Sequence, residues 1–281
     1  GRALEHLLTK MFSHPLPEVR ELAALMKAEA QHVIPTLIKY AAPNAYMQET
    51  AKAVAALAAE VAGQIEPART SGVRLVRAPE EAEAHLAAAI LYTASRLPYD
   101  QVLEEVRCRP REVRERIITE YLARRGPHDA PLRALEHLTY TFEILVDFGA
   151  YRDLHRHRMA TQLRQPLTPE HGYEMPKEAE RYGFAALFRE GMARAAEAYS
   201  ALAPQFPEEA AYVLPLATRV RVLFTWNLRE LHHFIALRSS RQGHPAYRRI
   251  AQETYRELHR VHPFLASFVR VDLKDYDLAR A

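Results

Sequence analysis

Two stretches of this chain read as strands, and the second runs directly into a helix start. Residues 137–146 (HLTYTFEILV) crowd β-branched and aromatic side chains together without the three-to-four-residue recurrence of a helix, which predicts a strand. Residues 216–226 alternate enough to predict a second, and Asn227 follows in the position of a helix N-cap. A short third strand is expected at residues 73–76. Helical periodicity fills the intervening sequence at 18–33, 43–61, 80–95, 99–106, 111–124, 178–203 and 247–261. One further helix should begin near Phe148, followed by a loop over 165–176. Strands interleaved with long helices define an α+β domain with a mixed or antiparallel sheet.

The helix expected from Phe148 carries the most basic run of the chain, Tyr151-Arg152-Asp153-Leu154-His155-Arg156-His157-Arg158. On a helix, Arg152, His155 and Arg156 would share one face, and like charges so placed favour an anionic partner. Arginine is suited to phosphate because its planar fork of donors never loses its charge. A solvated basic face is the plainer reading of the same residues. About seventy residues on, Asn227-Leu228-Arg229-Glu230-Leu231-His232-His233-Phe234 forms a second polar cluster.

Composition narrows the classes. The net charge is only +3, so the basic residues act locally, and a general nucleic-acid binder is not expected. Cys108 is the only cysteine, which excludes an intrachain disulfide and a cysteine metal cluster. Flanked by Arg107 and Arg109 it could be acidified, but a buried or idle thiol is the plainer expectation. No membrane span and no signal peptide are visible, and a cytoplasmic protein is expected. The histidine pairs His155/His157 and His232/His233 diverge on a helix, so no metal site is expected from them. Asp153 and His157 should pair locally across one helical turn.

The chain also repeats itself. Arg2-Ala3-Leu4-Glu5-His6-Leu7-Leu8 resembles the segment from Arg229 to Ile235, and His14-Pro15 resembles His244-Pro245, each followed by an amphipathic helix. A tandem duplication is expected, with residues 1–71 forming the helical tail of a preceding copy plus a linker around 63–72. Residues 72–281 would form the main domain.

These motifs together resemble the flavin-dependent thymidylate synthase family, also called thymidylate synthase complementing proteins. Arg156-His157-Arg158 and Thr161 resemble the opening of its signature Arg-His-Arg-x-x-Ser-x-x-x-x-Ser-x-Arg. Asn227 to Phe234 resembles its Asn-x-Arg-x-x-x-Asn-Phe helix. Leu214-Pro215, Val73 to Val76 and His128-Asp129-Ala130-Pro131 resemble its Leu-Pro, first-strand and His-x-x-Pro segments, in the family order. The resemblance implies the complementing-protein fold and FAD, with NADPH and methylene-tetrahydrofolate as co-substrates for methylating deoxyuridylate (dUMP) reductively to thymidylate. It implies flavin contacts from Arg156, His157, Arg158, Asn227, Arg229, His233 and Arg238. Arg238 would also be the catalytic residue, on the opposite side of an ideal helical wheel from Arg229 and His233. Sites of the family form between subunits of a homotetramer, so an oligomer, or a pseudo-oligomer built from tandem copies, is expected.

The substrate half departs from the pattern. Arg152, Thr161 and Arg164 are the candidate nucleotide-binding residues. The second signature serine is Pro166, the closing arginine is Thr168, and the usual upstream glutamine is Asp153. Ala211 stands where an arginine precedes the Leu-Pro segment, and His244 is the nearest match to a later family histidine. Proline offers neither hydroxyl nor backbone N–H, and a carboxylate repels phosphate. Three readings stay open: an active synthase completed by another copy, a flavin-binding paralogue without the reaction, and a scaffold.

Overall fold

A computed structural model describes residues 1–68, 70 and 72–276. It divides into two compact units, residues 1–69 with 198–213 and residues 70–197 with 214–281.

In the first unit, α1 (Arg2–Phe12), α2 (Pro17–Val33) and α3 (Pro35–Ile38) close around Leu8, Ala23, Ile38 and Ala41, all inaccessible to solvent. Proline opens both α2 and α3, where its missing N–H costs nothing. The alanine-rich α4 (Ala45–Ala62) starts at Asn44, whose side-chain oxygen accepts from Met47 N at 3.2 Å. Of the expected linker, Arg69 and Ser71 lie outside the described residues.

The second unit is built on an antiparallel sheet of β1 (Gly72–Arg77), β2 (Thr139–Asp147), β3 (Ala160–Arg164) and β4 (Arg219–Asn227), in the order β1-β2-β4-β3. The fold is α+β, as the sequence predicts. β2 and β4 pair without a break from Thr139↔Asn227 to Asp147↔Arg219. Alternate residues Tyr140, Phe142, Ile144 and Val146 are buried, as are Val220, Val222, Phe224 and Trp226 opposite. The helices α5 (Ala82–Tyr92), α6 (Tyr99–Arg107) and α7 (Arg111–Leu122) pack together ahead of β2. On the outer side of β1, Glu253 and Glu257 of α12 (Pro245–Val261) accept from Val73 N and Leu75 N at 3.1 and 3.2 Å. An edge strand whose N–H groups are taken by carboxylates is a poor template for further pairing.

Each central strand hands over to a helix through a capping side chain. Asp147 Oδ1 accepts from Ala150 N at 2.8 Å and starts α8 (Phe148–Leu154); Asn227 Oδ1 accepts from Glu230 N at 2.8 Å and starts α11 (Leu228–Arg238). Such a cap is worth about 1 kcal/mol.

Three expectations need correction. The helix from Phe148 ends at Leu154, so Arg152, His155 and Arg156 do not line one helical face; the chain turns there to enter β3, a strand absent from the sequence reading. The helix expected over 178–203 is two, α9 (Lys177–Arg181) and α10 (Ala185–Leu202), parted at Gly183, whose φ of +78° is left-handed and favours glycine. Within 165–176, the 3-10 turn Pro169–His171 and a bridge from Tyr173 to Thr218 give the loop structure. The stripe Phe142, Tyr151, Trp226 and Phe234 is buried core as expected, with Phe148 half-buried at its margin.

The two segments that resemble each other in sequence also have helices of matching length. α1, α2 and α3 have 11, 17 and 4 residues, and so have α11, α12 and α13 (Pro263–Ala266). The residues between the second and third helices share an uncommon backbone, φ −138°, ψ 51° at Ile34 and φ −134°, ψ 69° at His262. The fourth residue of each 17-residue helix is an arginine bonded to carbonyl oxygens. Arg20 donates to His14 O at 2.8 Å and Arg248 to Arg241 O at 3.4 Å.

Candidate functional site

The site follows from the register of β3. Ala160 lies opposite Trp226, the residue before the α11 cap, so the preceding residues of the basic run are delivered beside the first turns of α11. His157, 5% exposed, is enclosed there: Phe234 meets its ring edge-on at 5.1 Å, and His233 lies 5.6 Å away between ring centres. Its Nδ1 is 2.8 Å from Glu230 Oε1, and its Nε2 is 3.0 Å from Arg238 Nε. Arg238 also donates through Nη2 to Asp153 O at 2.7 Å and lies over the Tyr247 ring at 4.9 Å. The expected Asp153–His157 pair is replaced. With the helix ended at Leu154, the Asp153 carboxylate instead faces Arg156 at 3.4 Å and Arg238 at 3.9 Å.

The other side of α11 faces a cleft of about 550 Å³, lined by Arg229, His233 and the segment 127–131 among others. The His-x-x-Pro and Asn-x-Arg motifs, nearly a hundred residues apart, therefore meet. Arg229 is anchored, donating to Pro131 O at 2.7 Å and to Glu136 at 3.0 Å. Arg133 and then Arg229 hold the Glu136 carboxyl below its ordinary pKa. Asn227 spends its oxygen on the cap, and its amide N–H₂ makes no hydrogen bond among the described residues. Arg152 and Arg158 are exposed and pair with no group among the described residues. Thr161, exposed on β3, lies opposite Thr225. Arg164 lies over the Phe148 ring at 5.7 Å. His244 caps α12, its Nδ1 accepting from Ala246 N at 3.2 Å. Cys108 is exposed rather than buried, and its neighbours are committed elsewhere, Arg107 to Glu81 at 2.7 Å and Arg109 to Glu105 at 3.2 Å.

His157, Glu230 and His233 bring ligand atoms within 4.8 Å of one another, a grouping that could reach one metal ion. Both nitrogens of His157 are already engaged, and the Arg238 guanidinium stands against Nε2, where a cation would be repelled. Glu230 escaped the sequence reading. The spacing Asn227-x-x-Glu230 matches a capping box, but the carboxylate serves His157 instead.

His232 has a different environment from its neighbour. It is 4% exposed, and its Nδ1 lies 3.1 Å from Arg125 Nη1. Burial first, then the charges of Arg125 and Arg270, push its pKa down to about 3. Nδ1 therefore accepts from Arg125, and the proton sits on Nε2, which is buried without a partner.

Fold and site together describe an α+β protein with arginine-rich surroundings at the junction of a central strand and its helix. The model of the thymidylate synthase complementing protein family matches residues 74–264. The chain belongs to that family. It is 35% identical over 291 residues to a UPF0159 protein of Chlamydia muridarum and 30% identical over 288 residues to one of Thermoplasma acidophilum, in each case with 100% of this chain covered. The chain spans about half the length of these relatives, 55% and 57%. A flavin-dependent thymidylate synthase of Pseudothermotoga lettingae is 32% identical over 143 residues, 46% of this chain and 63% of that protein. Among solved structures, the flavin-dependent thymidylate synthase ThyX from Helicobacter pylori, complexed with FAD and dUMP, shares the fold. It aligns with a TM-score of 0.55 at 18% identity, covering 72% of this chain and 100% of its own.

His232 yields a prediction about acid stability. Its folded pKa lies below the unfolded value of 6.5, so the folded form resists a proton that the unfolded chain accepts. Stability from this group is complete above pH 6.5 and is lost as pH falls toward 3, by up to about 1.4 kcal/mol per pH unit. Urea unfolding across that range should show a shallower acid decline for His232→Gln than for the wild type. Parallel declines would contradict a neutral, buried His232.

Proposed function

We propose that the second unit binds FAD on the residues that match the family's flavin positions, and that its nucleotide half no longer recognises dUMP. The observation that carries this reading is the contrast around Asp153. Its carboxylate faces Arg156 and Arg238, supplying in place the negative charge that a phosphate would bring. On the flavin side, Arg158 has no partner among the described residues and the Asn227 amide has free donors, while Arg229 and His233 line an open cleft. This donor set fits a dinucleotide: guanidinium groups suit a pyrophosphate, and an amide suits a ring edge or ribose.

FAD, once bound, supplies hydride chemistry; the chain's own residues bind and orient it. Arg158 supplies an unpaired charge and Asn227 a neutral donor, while Arg156 shares its charge with Asp153 and Arg238 presents a guanidinium held by His157. NADPH and methylene-tetrahydrofolate would be co-substrates if the reaction is retained, and Arg152, Thr161 and Arg164 are what remains to contact a nucleotide. Losing several charge-assisted contacts, each worth about 1.5–3 kcal/mol, favours a flavin-binding paralogue over an ordinary synthase. An oligomeric state remains part of the reading because sites of the family form between subunits, and a cytoplasmic location is kept beside it.

The same reading takes α1–α3 as the closing helices of a preceding copy of the domain, supported by the matched helix lengths and the paired arginines Arg20 and Arg248. An experimental structure in which α1–α3 fails to superpose on α11–α13 would sink the duplication.

Flavin content tests the main proposal. After incubation with excess FAD and removal of the unbound fraction, the purified chain should retain the two visible flavin bands, and Arg158→Ala should retain less. A colourless wild type would leave the scaffold reading in possession.

A further inference from the structure

Glu230 occupies a position that the family resemblance leaves open, yet it stands at the head of a largely buried polar chain of the site. Its side chain is 11% exposed and meets Nδ1 of His157, while Arg238 Nε meets Nε2. The guanidinium Nε–H can only donate, so His157 Nε2 must present its lone pair and the imidazole proton must sit on Nδ1. The Glu230 carboxylate accepts that proton. One tautomer is thus selected from both ends, and the edge-on Phe234 hinders rotation of the ring.

The tautomer controls Arg238. With Nε held by His157 and Nη2 by the Asp153 carbonyl, and with Tyr247 beneath the plane, the guanidinium has one orientation. Nη1 alone makes no hydrogen bond among the described residues; Asp153 Oδ1 is its nearest ion-pair partner, at 3.9 Å. Without Glu230 only Arg238 still favours the Nδ1–H form, so the Nε2–H tautomer gains population, and there the proton would confront Arg238 Nε–H and turn the guanidinium away.

We propose that Glu230 is a positioning residue, which fixes the Nδ1–H tautomer of His157 and thereby the direction in which Arg238 presents Nη1 to its ligand. This inference rests on the reading of α11 as the flavin-binding helix. A merely structural ion pair would stabilise the fold without selecting a tautomer, so the test must read the imidazole itself.

Nitrogen-15 spectra of imidazole-labelled, ligand-free protein, recorded above neutral pH, give that readout, with the His157 signals assigned by their loss in His157→Gln. The expected wild-type spectrum has a protonated Nδ1 and an unprotonated Nε2. Glu230→Gln, whose amide oxygen still accepts from Nδ1–H, should keep this pattern, and Glu230→Ala should mix the tautomers. In FAD titrations Glu230→Ala should bind about tenfold more weakly or worse, while Glu230→Gln stays within about threefold. A wild-type His157 protonated on Nε2 overturns the inference, and this spectrum decides even if the alanine variant does not fold. Equal FAD affinity for wild type and Glu230→Ala overturns it as well. A wild type that binds no FAD overturns the flavin reading instead, while the tautomer is still decided by the spectrum.

Discussion

The structure of the site depends on the passage from β4 into α11. Trp226, the penultimate residue of the strand, stacks on Phe224 at 4.5 Å before the junction and on Phe234 at 4.7 Å after it. Three rings thus bind strand to helix across the Asn227 cap, and the helix cannot tilt without opening the core. Pairing of β3 to the same end of β4 then leaves His157 no place but beside Glu230 and Arg238. A buried aromatic stack and five residue pairs of a short edge strand are therefore what bring together groups some seventy and eighty residues apart.

Much of this was legible in the sequence. The β-branched run of β2, the Asn227 cap and the opposite facings of Arg229 and Arg238 on one helix were readable because each depends on local periodicity or capping. Arg229 does turn to the 131–136 segment and Arg238 to His157, as positions half a turn apart on the wheel require. β3 was not legible. Its five residues carry Gln162 and Arg164, and they are a strand only because β4 offers an unpaired edge. The early end of α8 follows from the same pairing, and with it the replacement of an Asp153–His157 pair by Asp153–Arg156. The break at Gly183 was overlooked because the apolar pattern continues on either side. Glu230 was missed because its partner comes from a segment whose course local sequence does not set.

The two halves of the site are unequal in a way that chemistry makes intelligible. Of the positions that the resemblance matches to flavin contacts, His233 stands where the pattern has asparagine, and the structure leaves Arg158 and the Asn227 amide without partners among the described residues. Positions that match phosphate contacts have become Pro166, Thr168 and Ala211, and Asp153 now sets a negative charge between two arginines. A carboxylate where the pattern has a neutral side chain opposes the approach of a phosphate. Family membership fixes the fold; what the site does is decided by its own residues.

The most direct measurement is a titration of the FAD-loaded chain with dUMP, followed through the flavin absorption spectrum. The expected result is no saturable change, because the phosphate finds Asp153 in place of a donor. A saturable spectral shift at micromolar dUMP would contradict the loss of nucleotide recognition and restore this chain to the ordinary synthases of its family.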